Sequence, residues 1–205
     1  MRTLVIDCAT EACSVALFDR GQLIDGQCRM LGRGHAEQLV PMIAGLPGKG
    51  RAELIAVALG PGSFTGVRVG LAAARALAFA WGADLQGYPT LALVAAMARD
   101  SSAGRVTVAM TGGHGEWFVE TFDEQGNSSA PLASLKPEDA VDAAVAGTAA
   151  GSQAQALVAR RGSGQALTIW PDARSFNLLP AHAMTGSPVP IYGRAPDARV
   201  PGAAV

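Results

Sequence analysis

The polar and apolar positions of the chain alternate between two rhythms, and the switches between them outline its elements. Thr3 to Ile6 reads as a buried strand that stops at Asp7. Cys13 to Phe18 alternates as a second strand, and Gln22 to Arg29 as a third. Between them Asp19-Arg20-Gly21 predicts a hairpin turn, with glycine supplying the positive φ such turns need. After the loop Gly32-Arg33-Gly34 the period changes. From His35, apolar residues fall at Leu39, Met42, Ile43 and Leu46, the spacing of one helical face. Pro41 lies inside that pattern and should kink the helix or mark its true first turn. Leu54 to Leu59 is almost wholly apolar, as a strand buried on both faces would be. The tight loop Gly60-Pro61-Gly62-Ser63 leads into a long alanine-rich helix, Gly66 to Trp81, and Thr90 to Ala98 predicts another.

The polar stretch Asp100 to Gly104 predicts a boundary between an N-terminal lobe, 1–99, and a smaller α/β lobe, 100–205. Beyond it, Arg105 to Met110 and Trp117 to Phe122 read as strands around a glycine-rich turn. Pro137 to Val145 reads as a helix with Glu138 and Asp139 favourably placed in its first turn. The tail after Pro188 is rich in Pro and Gly and should be extended. Three hairpin strands followed by helix-connected parallel strands give a mixed α/β sheet with helices on its faces. The β-β-β-α-β-α order is that of the ribonuclease H-like half of the actin-like ATPase (ASKHA) fold. The second half is a candidate for a reduced copy.

Composition narrows the function classes. The 205 residues are 49% hydrophobic and only 16% charged, with a net charge of −1 and no basic run longer than Arg160-Arg161. Grip on nucleic acid comes from Lys and Arg neutralising phosphates, so on any RNA task a partner must supply most of it. Three cysteines, Cys8, Cys13 and Cys28, exclude a framework with every thiol paired and suit buried, reduced thiols in the cytosol. The N-terminus lacks the form of a signal peptide, and the longest apolar stretch, Val67 to Trp81, holds two arginines and is too short to span a bilayer. The expectation is a soluble, cytoplasmic protein with no membrane contact.

Two segments could carry chemistry. The first, Asp7 to Ser14, joins strands one and two, with hydroxyls at Thr10 and Ser14. In an actin-like ATPase this hairpin holds phosphate and magnesium water. The plainer reading is a polar loop closed by side chains bonding to backbone, and for the hairpin alone that reading leads. The second runs from Gly60 to Gly70. A glycine-rich loop that follows a buried strand and opens a helix is a place for an anion. It lacks the Gly-Lys-Ser/Thr of a Walker motif, and Ser63 and Thr65 could equally be helix caps. Asp7, Thr10, Ser14, Gly60, Gly62, Ser63 and Thr65 are together the candidate vestigial nucleotide or anion site.

Ile6 to Leu17, His35-Ala-Glu-Gln-Leu-Val-Pro41 and Gly60-Pro-Gly-Ser-Phe-Thr-Gly-Val-Arg-Val-Gly70 closely resemble the TsaB (YeaZ) family. Looser echoes lie at Gly115-Glu116-Trp117-Phe118 and Pro190-Ile191-Tyr192-Gly193-Arg194. The resemblance implies an actin-like fold and a role in making threonylcarbamoyl-adenosine beside the anticodon of tRNAs. It further implies pairing with the catalytic paralogue TsaD, recruitment of the ATPase TsaE, homodimers, and tRNA contact only through the complex. Where many members have Asp-Ala-Arg before the Gly-Glu, this chain has Thr111-Gly112-Gly113-His114.

An active site of its own is not expected. The catalytic paralogue binds metal through two histidines four apart on a helix, a spacing that puts both imidazoles on one face. Here His35 has Leu39 at the matching place, and the His-Glu-x-x-His of zincins is missing, as is a recognisable Ser-His-Asp set. A peptidase reading therefore has no footing, no metal or cofactor is called for, and His35 reads as a capping or interface residue. In the long helix Gly66, Gly70, Ala74 and Ala78 form a narrow stripe of small residues that suits close packing, either on the chain's own sheet or on a partner. Val67, Leu71 and Leu77 beside it are apolar too, and a helix apolar on several sides is deep in the fold or covered by another molecule. The expected partner seam comprises His35, Leu39, Met42, Ile43 and Leu46 of the first helix with Val67, Arg68, Gly70, Leu71, Ala74, Arg75 and Ala78 of the second. Two classes remain open: a scaffold subunit without chemistry, and an active ATPase or small-molecule kinase of the same fold.

Overall fold

The computed structural model describes residues 1–102 and 104–194. The chain opens with β1 (Arg2–Asp7), β2 (Ala12–Asp19) and β3 (Gln22–Met30), all antiparallel. Arg20 (φ 50°) and Gly21 (φ 78°) form the two-residue turn between β2 and β3, the twist-matched geometry in which both central residues take positive φ. Helix α1 (His35–Ala44) carries the chain to β4 (Leu54–Ala58), and α2 (Phe64–Trp81) to β5 (Asp84–Tyr88). Both of these strands pair parallel, giving a five-stranded sheet ordered β3-β2-β1-β4-β5.

Helix α3 (Thr90–Ser101) leads into the second half: β6 (Val106–Thr111), β7 (Trp117–Phe122), β8 (Ser128–Leu135), α4 (Pro137–Ala143), β9 (Thr148–Ala150), α5 (Ala154–Arg161) and β10 (Gln165–Leu167). Its sheet is ordered β10-β9-β6-β7-β8. Counted from each half's own first strand, that is the order of the first sheet, with the same antiparallel and parallel partners. The second half is thus the same unit with shorter parts: its fourth and fifth strands have three residues each.

Alternation along β1 sends Leu4 and Ile6 to one side, where they pack with Leu39, Met42, Ile43, Leu71 and Ala74 of α1 and α2. Val5 goes to the other side, with Tyr88, Leu93 and Phe176. α3 is buried on nearly all sides because it lies between the sheets: Leu93 packs with the first half, and Leu91, Val94, Ala95 and Ala98 pack with Val106 and Val108 of the second. α4 and α5 cover the far face of the second sheet through Ala140, Ala154 and Leu157. After β10 the chain returns to the first sheet. The 3₁₀ turn Ala173–Leu178 lies against β1, β2 and β3, and Ile191 N–H donates to Leu59 O at 2.7 Å.

Several details differ from expectation. α2 begins at Phe64 rather than Gly66, because Ser63 is its N-cap and its hydroxyl accepts from Gly66 N–H. Thr65 is an exposed helical residue and caps nothing. α1 starts at His35, so Pro41 sits within it rather than in its first turn, tolerated on the solvent side at the cost of one backbone bond. The tail runs without regular structure from Pro188 to Arg194, and its expected extension over residues 195–205 lies outside the described residues.

Candidate functional site

A cavity of about 750 Å³ opens between the halves. The β1–β2 loop supplies Ala9, Thr10 and Glu11; the start of α2 supplies Gly62, Ser63, Phe64 and Arg68. The β6–β7 turn supplies Thr111 to His114, with Phe118 behind it, and Tyr192 to Arg194 close the far side. Arg68 is held by two aromatic rings. Its guanidinium lies 3.5 Å from the Phe64 ring centroid and donates to Tyr192 Oη at 3.2 and 3.3 Å, while the rings stand 5.6 Å apart. Arg194 pairs with Glu116 at 3.9 Å. This cluster joins residues 124 positions apart, so no local spacing announces it.

The candidate anion residues divide. Thr10, Gly62 and Ser63 line the cavity; Asp7, Ser14, Gly60 and Thr65 are not among its lining residues. Asp7 is fully buried and points to the other side of the sheet. Its Oδ1 accepts from Ala9 N–H at 3.0 Å and its Oδ2 from Tyr88 O–H at 3.4 Å. Burial raises its carboxyl to about 7 against these two hydrogen bonds, which act the other way. Ser14 Oγ accepts from Ala173 N–H at 2.9 Å, so the returning segment closes over this side of the sheet. Thr10 Oγ1 accepts from Ala12 N–H at 3.2 Å. The loop is therefore closed by its own side chains on backbone, as in the plainer of the two expectations.

The glycine-rich block has a steric explanation. A Cβ at Gly62 would overlap the carbonyl oxygen of Ala9, and one at Gly66 that of Cys8; one at Gly70 would meet Cys8 Cβ at 3.5 Å. Ser63 N–H donates to Ala9 O at 2.7 Å. Two amides that could have cradled an anion, those of Ser63 and Gly66, are thus already spent within the chain. Glycine at these positions lets the start of α2 press directly on the β1–β2 loop.

His35 is buried, with Nε2 donating to Thr10 O at 2.9 Å. The residue before it, Gly34, is the N-cap, so His35 acts as a strap from α1 to the loop rather than a cap. Among the described residues no group of three or more His, Cys, Asp or Glu side chains could hold a metal ion, and no helix is long and apolar enough to cross a membrane.

The residues expected in a partner seam are already covered. His35, Leu39, Met42, Ile43, Leu46, Val67, Gly70, Leu71, Ala74 and Ala78 are all buried within the chain, most against its own sheet. The stripe of small residues packs on β1 and β4. Only Arg68 and Arg75 of that set reach solvent, and Arg75 donates to Pro188 O at 2.9 Å. The outward faces hold different residues: Ala36, Val40 (59% exposed) and Ala44 on α1, and Ala72, Ala76 and Phe79 (92% exposed) on α2, with Leu77 half-buried. Helical spacing found both helices but not which side faces out, because both are apolar over more than one side.

The family model described as "TsaD: tRNA N6-adenosine threonylcarbamoyltransferase" matches residues 29–168. The Escherichia coli protein named "tRNA threonylcarbamoyladenosine biosynthesis protein TsaB" is 38% identical over 148 residues, 67% of this chain and 64% of that protein. The Haemophilus influenzae protein of the same name is 44% identical over 98 residues, 45% of this chain and 40% of that protein. The matched part thus spans less than two thirds of the length of either curated relative. Among solved structures, an uncharacterized Pseudomonas aeruginosa protein with similarity to peptidase YEAZ superposes with a TM-score of 0.79 at 29% identity, over 94% of this chain and 99% of that one. YeaZ from Pseudomonas aeruginosa gives 0.76 at 27%, over 93% and 99%. The ethanolamine utilization protein EutJ from Carboxydothermus hydrogenoformans gives 0.50 at 12%, over 88% and 90%, a likeness of fold alone. With two sheets of one strand order, the architecture is that of the actin-like ATPase fold. On these grounds the chain belongs to the wide family that the TsaD description covers and, within it, to the TsaB (YeaZ) family.

Proposed function

We propose that this chain is an accessory subunit of tRNA threonylcarbamoyladenosine biosynthesis in the cytoplasm, without chemistry of its own, that works by binding a catalytic TsaD paralogue. The observation that carries the non-catalytic reading is the sealing of Asp7. By resemblance to actin-like ATPases, the hairpin that follows this residue would hold phosphate and magnesium water. Here Asp7 is buried, bonded to Ala9 and Tyr88, and outside the cavity lining. Two of the loop amides that could receive an anion are bonded within the chain. No cofactor is proposed, and any nucleotide affinity left in the cavity should be weak. The names of the curated relatives support the pathway, and the match to the TsaD family model supports a paralogous partner of the same fold.

The outward faces of α1 and α2 are the proposed contact. They place Val40 and Phe79 in solvent on two helices that pack side by side. TsaD covers them in the working complex, and a second copy covers them in its absence. The ATPase TsaE joins that assembly, and tRNA is held only through it.

Reconstitution tests this. Purified chain given tRNA and threonylcarbamoyl-adenylate should yield no modified adenosine, and addition of TsaD should yield it. Product from the chain alone would overturn the reading. Calorimetric titration with ATP and magnesium addresses the competing ATPase or kinase assignment: tight binding with turnover by the isolated chain would establish that alternative instead.

A further inference from the structure

Cys8 and Cys13 flank the four-residue loop that borders the cavity. The β1–β2 register ends at Asp7 opposite Ser14, so its next step sets Cys8 opposite Cys13. Both antiparallel pair spacings, about 4.5 and 5.5 Å between Cα atoms, lie inside the range that disulfides bridge. The two sulfurs are 3.6 Å apart and in hydrogen-bond contact. We propose that Cys8 and Cys13 are an oxidation site at which a peroxide forms an intrachain disulfide, locking the loop at the mouth of the cavity.

The chemistry is asymmetric. The hydrogen bond from Cys8 lowers Cys13 from the ordinary thiol value, and the Arg29 guanidinium, whose residue is opposite Cys13 in the β2–β3 register, acts in the same direction. The contact with Cys13 and burial raise Cys8. Cys13 is thus the nucleophile. Its thiolate attacks one peroxide oxygen, the O–O bond breaks, and hydroxide leaves to give a sulfenic acid. The Cys8 sulfur then attacks that sulfur, the S–O bond breaks, and water leaves with the Cys8 proton. Overall, two thiols and one hydrogen peroxide give one disulfide and two waters. Cys28 takes no part: it sits opposite Ser14, on the face of the sheet where Ser14 meets Ala173, and burial raises its thiol to about 11.

Exposures of 2% and 0% mean the pair reacts only when the loop opens, which favours a small oxidant over a bulky disulfide. Once formed, the bond opposes that opening. The loop's Ala9 carbonyl receives Ser63 N–H, so the lock extends to the start of α2.

The test uses the whole folded chain. After treatment with hydrogen peroxide at neutral pH, free thiols are alkylated and the chain is cut with trypsin without reduction. Cys8 and Cys13 share the peptide from Thr3 to Arg20, and Cys28 lies in the next, Gly21 to Arg29. The expected result is a Thr3–Arg20 peptide lighter by two hydrogens and free of alkyl groups, beside an alkylated Cys28. Hydrogen exchange at residues 9–12 should slow about tenfold and recover with dithiothreitol. Cys8→Ser should leave a Cys13 that goes on to sulfinic acid under the same treatment. A doubly alkylated Thr3–Arg20 peptide, or sulfinic acid on an intact pair, overturns the site. A disulfide with unchanged exchange at residues 9–12 overturns the lock.

Discussion

Asp7 is fully buried, in surroundings far from those of the free side chain. Its carboxyl titrates near 7 in the folded chain and near 3.8 when unfolded, because burial opposes the charge more than Ala9 and Tyr88 favour it. Between those two values the folded state holds more protons than the unfolded one. The Asp7 contribution to stability is therefore complete below about pH 4 and is lost as pH rises through about 7. The displacement corresponds to about 4 kcal/mol. Asp7→Asn keeps an oxygen for Ala9 N–H and leaves the Tyr88 hydroxyl able to accept from the amide. The expected outcome is a variant more stable than the parent at pH 8, with a flatter dependence of urea midpoint on pH between 4 and 7. Gly62 gives the opposite kind of case. A side chain there meets the Ala9 backbone, which cannot move aside as a flexible side chain could. Gly62→Ala should cost about 1–3 kcal/mol in urea unfolding. Both residues stand out in the sequence, Asp7 as the end of an apolar run and Gly62 within a glycine block. Their roles were not legible there, because the contacts that define them reach from residue 7 to residue 88 and from residue 9 to residue 62.

Elements were legible where the apolar period is long. The three hairpin strands, β4, α1, α2 and α3 follow from spacing and turn residues. β5, with the sequence Asp-Leu-Gln-Gly-Tyr, alternates too little to declare itself, and β9 and β10 are three residues each, shorter than any pattern needs. The orientation of α1 and α2 was also hidden, since apolar residues occur on both their inner and outer faces. This separates two kinds of substitution. Leu71 lies in the packed core with β1 and β4, so Leu71→Glu would bury a carboxylate and should unfold the chain. Phe79→Glu and Val40→Glu alter side chains already in solvent and should leave circular dichroism and thermal midpoint near the parent's. If the outer faces bind TsaD, each should weaken that binding at least about tenfold. Full affinity in a folded Phe79→Glu, Val40→Glu double variant would place the contact elsewhere.

For the whole molecule, a net charge of −1 sets the terms of any encounter with RNA. With no excess of Lys and Arg to neutralise phosphates, the isolated chain should bind tRNA more weakly than about 1 μM at physiological salt, with a shallow salt dependence. Filter binding across a salt series measures both, and sub-micromolar affinity would contradict the assignment of RNA contact to the complex. The duplicated strand order was partly readable: the first unit follows from its element order, and the second only as a reduced candidate, because its parallel strands are too short to signal themselves.

The return of residues 173–191 to the first sheet also bears on how the protein is made. A ribosome delivers β1 through β5 well before Ala173, Phe176 and Ile191 leave the exit tunnel. Until then the Val5, Ala16, Phe18 and Tyr88 side of the sheet lacks part of its cover, and Ser14 has no backbone amide to receive. The first half of the nascent chain is thus a sheet with one face unfinished, held open to chaperones and proteases during the time it takes to synthesise the second half. Completion of the N-terminal unit waits on codons read only after the last strand of the second sheet has been made.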